Sequence, residues 1–195
     1  MASVTGIVLA AGASERMGQP KLLLPYRGST VLDATIAAVE ASVADRVIVV
    51  VGFKAEMIEA SMEARRATIA RNPDYRRGNM SSLLTATATD GEAEAFVLVP
   101  GDLPTIRTEA IDSMIDLWAE EKPWAGVTEY SDRVAHPFLL SRASVESMKE
   151  MTGAKVLGRM LIESSDDRVV RLPVAGEAPL DVNTPEGYEE LLRES

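Results

Sequence analysis

Three short runs of apolar, mostly β-branched residues constrain the fold of this chain more than any other feature. They are TGIVLA (5–10), RVIVVVG (46–52) and AFVLVP (95–100), and ATIA (67–70) is a weaker run of the same kind. Runs without polar alternation are typical of parallel strands buried on both faces of a sheet. Each run is therefore predicted to be a strand of a central sheet.

Helix-like segments separate these strands. The clearest follows Thr108, where apolar residues recur at the i, i+3, i+4 and i+7 spacing of an amphipathic helix. Regular alternation of strands and helices predicts an α/β fold with a mostly parallel central sheet, right-handed crossovers and helices on both faces. The other helices of this half are predicted over 29–42, 54–66 and 80–90.

The second half of the chain is less regular. Two strand-like runs, AGVTEY (125–130) and AHPFLL (135–140), flank a turn at 131–133 and predict a hairpin-like excursion. With no repeat and no interdomain linker, we expect a single domain over residues 1–195. The remaining predicted elements are helices over 143–151 and 153–163, a strand RVVRLPV (168–174) and a final helix from Pro185.

The composition excludes several classes of function. The chain of 195 residues has a net charge of −10, and such acidity argues against binding to nucleic acid or a membrane surface. It has no cysteine, which excludes disulfides, thiol nucleophiles and cysteine–metal sites. It has no signal-like leader and no long apolar run, so a soluble cytoplasmic protein is expected.

A glycine-rich loop with basic residues follows the first strand, in GIVLAAGASERMGQPKLLLPYRG (6–28). Gly12 and Gly18 would let backbone amides approach an anion, and Arg16 and Lys21 would add full positive charges. The spacing matches neither the P-loop nor the dinucleotide-binding pattern. The loop is therefore a candidate site for a polyphosphate, and an ordinary strand–helix turn is the alternative.

Two other stretches offer oxygen ligands for a metal ion. Asp102, in VPGDLPT, follows the third apolar run, and Asp181 and Asn183 share one side of the extended LDVN segment. Mg²⁺ usually takes one or two carboxylates and completes its shell with water and phosphate oxygens. The alternatives are a turn or capping role for Asp102, and a helix cap at Asn183 or Thr184.

Two further candidates are weaker. Ser81 and Ser82, in NPDYRRGNMSSLLTA, would lie near a helix N-terminus, where they would either cap the helix or contact a nucleoside. The only histidine, His136, precedes Pro137 without any triad-like pattern nearby. We expect it to be packed or to face a substrate rather than to act as a general base.

These stretches, in this order, resemble the MocA-like molybdenum cofactor cytidylyltransferases of the MobA-like NTP transferase family. LAAGASERMGQPKLLLP resembles the opening signature of that family, and NPDYRRGNMSSL, VPGDLPT, HPFLL and LDVNTPEGY resemble its later blocks. The resemblance implies a Rossmann-like GT-A fold. It also implies Mg²⁺-dependent transfer of a nucleotide from an NTP to a phosphorylated acceptor of the molybdopterin type, with release of pyrophosphate.

The resemblance also assigns roles to residues. It implies catalytic roles for Arg16, Lys21 and Asp102, metal binding by Asp102, Asp181 and Asn183, and contact between His136 and the acceptor. MobA-like guanylyltransferases tend to have a glycine where this chain has Ala11, which favours CTP over GTP. The expected nucleotide-binding residues are Leu9, Ala10, Ala11, Gly12, Arg16, Lys21, Ser81, Ser82 and Asp102.

Two departures from the family lie in the half expected to bind the acceptor. Ala135 precedes His136 where glycine is common, and Ala154 in GAKVLGRM stands where an acidic residue is expected. A guanylyltransferase or a sugar-phosphate nucleotidyltransferase therefore stays open, as does a non-catalytic carrier of the cofactor. The resemblance also leaves room for a molybdenum apo-enzyme as a partner.

Overall fold

The computed structural model describes residues 3–13, 20–63, 66–151 and 156–193. The strands are β1 (Val4–Ala10), β2 (Pro25–Tyr26), β3 (Ser29–Thr30), β4 (Arg46–Val51), β5 (Thr68–Arg71), β6 (Ala95–Pro100), β7 (Ala125–Glu129), β8 (Val134–Ser141) and β9 (Val169–Pro173). The helices are α1 (Val31–Glu40), α2 (Ala55–Ser61), α3 (Asn79–Thr89), α4 (Thr108–Glu121), α5 (Arg142–Met148), α6 (Val156–Ile162) and α7 (Pro185–Arg193). Short 3-10 turns span Lys21–Leu23 and Tyr75–Arg77.

The predicted α/β fold is confirmed. In the described part of the chain, seven strands form one sheet in the order β5-β4-β1-β6-β8-β7-β9. All neighbouring pairs are parallel except the two that involve β8, which runs against β6 and β7. None of the described helices is long and apolar enough to cross a bilayer.

The central strands are apolar throughout because helices cover both faces of the sheet. Along β1, Val8 and Ala10 pack in one core with residues of α1 and α4. Ile7, the residue before Val8, packs in the opposite core with residues of α3, α5 and α6. Alternate side chains of one strand therefore enter different cores, which removes the polar positions that a one-sided sheet would show.

The prediction that the two strands of the second half form a hairpin-like excursion is wrong about where that hairpin lies. The two strands do pair in antiparallel fashion around the 131–133 turn, as β7 and β8. However, β8 lies between β6 and β7 inside the main sheet. Residues 137–141 are buried, so this strand belongs to the core rather than to a projecting hairpin.

Two glycines let the ends of neighbouring strands come close together. The amide of Gly101 donates to the carbonyl oxygen of Leu9 at 2.9 Å, and an added Cβ would lie 3.0 Å from that oxygen. At Gly52, an added Cβ would lie 2.6 Å from Cβ of Tyr75 and 2.9 Å from Cβ of Ala11. The loops after β1, β4 and β6 are therefore held against one another.

The segment before α7 is also anchored at this edge of the sheet. The amide of Val182 donates to the carbonyl oxygen of Asp102 at 3.1 Å, and the Val182 side chain is fully buried. Thr184 Oγ1 accepts from the amide of Gly187 at 3.2 Å, which makes Thr184, one of the two expected candidates, a cap of the final helix.

A buried carboxylate ties β1 to the segment after α3. Thr5 Oγ1 donates to Asp90 Oδ2 at 2.6 Å, and Arg46 Nη1 donates to Asp90 Oδ1 at 2.9 Å. Burial opposes the ionised form, but the hydrogen bonds from Thr5 and from the Glu92 amide, with the charge of Arg46, outweigh it and lower the pKa of Asp90. This contribution to stability is present above the ordinary aspartate pKa and is lost as the pH falls through the lowered value.

We predict that Thr5→Val lowers the free energy of unfolding by about 1–3 kcal/mol at pH 7, because it removes a donor from a buried carboxylate. The deficit should shrink at a pH below the lowered pKa of Asp90, where the native carboxylate is protonated. Urea unfolding at both pH values measures this deficit in the free energy of unfolding. Thr68→Val, on the exposed part of β5, is the control, and equal losses in the two variants would contradict the prediction.

Candidate active site

The carboxyl ends of the parallel strands open onto a cavity of about 580 Å³. The loop after β1, the end of β6, the start of α3, the start of β8 and the helix α6 all contribute to its walls. Ligands of open α/β sheets bind at this edge. Of the predicted site residues, those that line the cavity are Leu9, Ala11, Gly12, Lys21, Ser82, Asp102 and His136.

Lys21 and Asp102 are in direct contact at the rim of the cavity. Lys21 Nζ donates to Asp102 Oδ2 and, at 3.0 Å, to Asn183 Oδ1. The two charged side chains are only 16% and 14% exposed, so water screens their attraction less than it would on an open surface. A basic residue of the glycine-rich loop and the carboxylate after β6 thus share one site.

The LDVN segment extends this cluster. Asn183 Nδ2 donates to Asp181 Oδ2, while its Oδ1 accepts from Lys21. Asp181 and Asn183 do not line the cavity themselves. The sequence prediction that Asp102, Asp181 and Asn183 could act together has this geometric basis, whereas their binding of a metal ion stays a prediction.

Local packing fixes the direction of Lys21. The 3-10 turn Lys21–Leu23 is anchored by Leu22, which is buried in the core beneath α1. The amides of Leu23 and Leu24 donate to the carbonyl oxygens of Pro20 and Lys21, which closes the turn. The lysine therefore projects from a fixed backbone toward Asp102.

Ser81 and Ser82 have different surroundings. Ser81 Oγ lies 2.8 Å from the carbonyl oxygen of Gly78 and accepts from Asn72 Nδ2 at 2.9 Å, and Ser81 does not line the cavity. Ser82 is buried, accepts from the same Asn72 amide at 3.0 Å and does line the cavity. Asn72 orients both hydroxyls, and Ser82 is the one positioned to meet a ligand.

Several predicted residues lie elsewhere. Ala10 is fully buried in the core and does not line the cavity. Arg16, Gly18 and the Gly153–Ala154 part of the altered block lie outside the described residues, so their roles stay predictions.

Sequence reasoning missed part of the wall. Tyr75, Asn79 and Phe138 line the cavity, as do Arg159 of α6 and Glu163, which follows that helix. Tyr75 and Asn79 lie in the same block as Ser82, which was a usable signal. The GAKVLGRM block, which contains Arg159, is expected in the half that binds the acceptor, but the packing of α6 on the sheet decides which of its side chains face the cavity.

His136 faces the cavity as an uncharged ring. Its ring stacks on Phe138, with centroids 3.9 Å apart and the planes inclined by 30°. The Tyr130 hydroxyl donates to the His136 carbonyl oxygen at 3.0 Å, which holds the start of β8. Burial lowers the pKa of His136 to about 3, and a base this weak is poorly matched to proton transfer at neutral pH.

Comparison with known proteins identifies the family of this chain. Residues 6–169 match the MobA-like NTP transferase domain. This chain belongs to the MobA-like NTP transferase family. Its members are nucleotidyltransferases, and the predicted family and enzyme class are confirmed.

Similar proteins cover this MobA-like chain almost completely. The molybdenum cofactor cytidylyltransferase of Escherichia coli (strain K12) is 29% identical over 189 residues, 96% of this chain and 95% of that protein. The Rv0371c homolog from Mycobacterium sp. strain JC1 is 36% identical with a TM-score of 0.86, covering 98% of this chain and 96% of its own. Rv0371c of Mycobacterium tuberculosis H37Rv in complex with manganese is 30% identical with a TM-score of 0.83, covering 99% and 100%.

We predict that the His136 imidazole stays neutral from about pH 8 down to pH 5, because burial disfavours its charged form. The chain has one histidine, so NMR of ring-labelled histidine gives one signal to follow. The same signal in urea should titrate near pH 6.5. Because the unfolded chain then binds the extra proton, native stability should fall as the pH drops below that value. A native midpoint above pH 6 would contradict the prediction.

Proposed function

We propose that this protein transfers a nucleotide, CMP from CTP in preference, to the phosphate of a molybdopterin-type acceptor and releases pyrophosphate. The observation that carries the proposal is the contact of Lys21 with Asp102 at the rim of the cavity. It joins a cation suited to a polyphosphate with a carboxylate suited to a divalent ion. A transferase that uses NTP needs both at one point.

The nucleotide would occupy the part of the cavity nearest β1. Gly12 is exposed there and leaves open space where a side chain would start, so the backbone at Gly12 is accessible to phosphates. Tyr75 and Ser82 line the same cavity and offer a ring and a hydroxyl to the nucleoside. Lys21 would bind the β- and γ-phosphates.

The donor set near Asp102 fits a hard divalent cation. Asp102 and Asp181 supply carboxylate oxygens and Asn183 an amide oxygen, linked through the hydrogen bonds of Asn183. Mg²⁺ is commonly bound through one or two carboxylates together with substrate phosphates. When bound, such an ion would neutralise charge on the phosphates. The manganese complex of the M. tuberculosis relative supports a divalent ion in this family.

The reaction we propose is an in-line displacement. An oxygen of the acceptor phosphate forms a bond to the α-phosphorus of the NTP as the bond from that phosphorus to the bridging oxygen breaks. Pyrophosphate leaves with the bonding electrons, so no side chain of the protein has to be a nucleophile. Lys21 stabilises the negative charge that grows on the departing oxygens, and the walls hold the two anions in line.

CTP is favoured over GTP on two grounds. Ala11 lines the cavity where MobA-like guanylyltransferases tend to carry glycine, so its methyl group narrows the space for a purine. The E. coli relative, similar along its whole length, is a cytidylyltransferase.

A non-catalytic carrier of the finished cofactor is the candidate from another class. Such a protein would have no use for a lysine and carboxylate poised together beside a glycine-rich loop. The Lys21–Asp102 contact therefore argues for catalysis.

We predict that the purified protein, given a molybdopterin-type acceptor, Mg²⁺ and each NTP in turn, forms the CMP adduct fastest. Mass detection of the product together with pyrophosphate release measures the reaction. In Asp102→Asn the turnover should fall by at least about 100-fold, because a carboxylate proposed to hold the divalent ion loses its charge.

The control is Asp166→Asn, which alters an exposed carboxylate paired with Arg168. It should turn over normally. If GTP were the only NTP that supported pyrophosphate release, GTP would replace CTP as the proposed nucleotide. Normal turnover in Asp102→Asn would remove Asp102 from the reaction.

A further inference from the structure

Helix α6 forms a second wall of the cavity, separate from the glycine-rich loop that is proposed to bind phosphates. Leu157 and Leu161, one turn apart, are buried in the core and fix the rotation of this helix. An added Cβ at Gly158 would lie 3.6 Å from Phe138, so the helix packs closely on β8. Arg159 is exposed to solvent but lines the cavity.

The two basic side chains that line the cavity differ in their ion-pair and hydrogen-bond partners. Lys21 is bound to Asp102 and Asn183. Arg159, by contrast, forms no ion pair or side-chain hydrogen bond with any residue in the described ranges. Its guanidinium cation faces the cavity without a described ion pair, and Glu163, four residues on, lines the same cavity as a carboxylate that is likewise unpaired in the described ranges.

The proposed reaction requires such a cation. It brings two anions, the acceptor phosphate and the α-phosphate, within bonding distance, and their repulsion must be offset inside the site. A guanidinium binds phosphate through two parallel hydrogen bonds and so fixes its orientation as well as its charge. The neighbouring ring pair of His136 and Phe138 is uncharged and suits a flat organic body.

We propose that Arg159 binds the phosphate of the acceptor and aligns it for attack, an inference that rests on the proposed function. The ligand it selects is a phosphate monoester attached to a flat heterocyclic group. Lys21 then serves the leaving pyrophosphate, and Arg159 serves the nucleophile.

The test separates the two substrates kinetically. In Arg159→Ala, KM for the phosphorylated acceptor should rise about 10- to 100-fold, as expected for loss of a charge-assisted hydrogen bond. KM for CTP should change less than about twofold. Arg159→Lys should recover part of the loss, and Arg193→Ala, at the exposed end of α7, should behave as wild type.

A binding measurement completes the test. Wild-type protein should bind the phosphorylated acceptor at least about tenfold more tightly than its dephosphorylated form, and Arg159→Ala should bind both alike. Turnover by the wild type with an unchanged acceptor KM in Arg159→Ala would overturn the role of Arg159 alone. Absence of turnover and of acceptor binding in the wild type would overturn the proposed function and this inference together.

An independent inference comes from the contacts of Lys21. Its ammonium touches Asp102 Oδ2 and lies 3.0 Å from Asn183 Oδ1, which are two of the oxygens proposed to bind the divalent ion. An ammonium group and a divalent ion cannot both contact the same oxygens at close range without strong repulsion. The phosphates of a nucleotide offer Lys21 other oxygens.

We infer that Lys21 and the divalent ion compete for Asp102, so that the nucleotide-free protein binds the ion weakly. The arrangement rests on the proposed function, but it needs no acceptor to be tested. It favours arrival of the ion together with the nucleotide.

Mn²⁺ binding followed by electron paramagnetic resonance, without nucleotide, tests this competition. Lys21→Ala should bind Mn²⁺ about fivefold or more tightly than wild type, whereas Lys21→Arg should remain weak because it keeps the charge. Lys149→Ala, which alters an exposed ion pair with Glu146, is the control. Thermal unfolding checks that each variant is folded. Equal Mn²⁺ affinity in wild type and Lys21→Ala would overturn the proposed competition. It would not bear on the proposed function, which measured turnover tests separately.

Discussion

The ion pair between Lys21 and Asp102 depends on three separate parts of the chain. Lys21 belongs to the turn after the glycine-rich loop, Asp102 to the end of β6, and Asn183, which also contacts the lysine, to the segment before α7. Each part is held by its own buried anchor, namely Leu22, the close contact at Gly101, and Val182. The core thus brings side chains 81 and 162 positions away from Lys21 to one point. A loss of packing at any anchor would displace one of the side chains that meet at this site.

Much of the fold follows from the sequence because the strongest signals are local. The strand predicted over 95–100 matches β6, and the strand predicted over 5–10 differs from β1 by one residue. Such strands are buried on both faces, so nearly every residue in them is apolar and contributes to the sequence signal for a strand. The place of β8 could not be read in the same way. Its insertion between β6 and β7 is decided by which strands pair across the sheet, and a hairpin sequence is compatible with both placements.

In the candidate site, too, residues with a local sequence signal could be predicted and residues placed by packing could not. Lys21 and Asp102 were predicted because each follows a strand whose carboxyl end lies at one edge of the sheet. Ser81 and Ser82 were indistinguishable as adjacent serines, and only the direction of their side chains on α3 separates the hydroxyl that faces the cavity from the one that does not. Arg159 belongs to the GAKVLGRM block of the expected acceptor half, but the sequence does not single it out, since an arginine on a short helix is usually a solvated surface residue. Its orientation follows from the burial of Leu157 and Leu161.

The acidity of the chain gives the local cations their importance. At a net charge of −10 the protein repels polyanions in general, and nucleic acid in particular. A small phosphorylated ligand can still be bound if cations lie within a few ångströms of each phosphate, because attraction at that range exceeds the diffuse repulsion, which salt screens over about 8–10 Å. Discrimination among anions then depends on shape. Under the proposed function, the cavity binds compact ligands that present phosphates to Lys21 and Arg159. The surrounding charge then disfavours long polyanions that cannot bring their phosphates to those two residues.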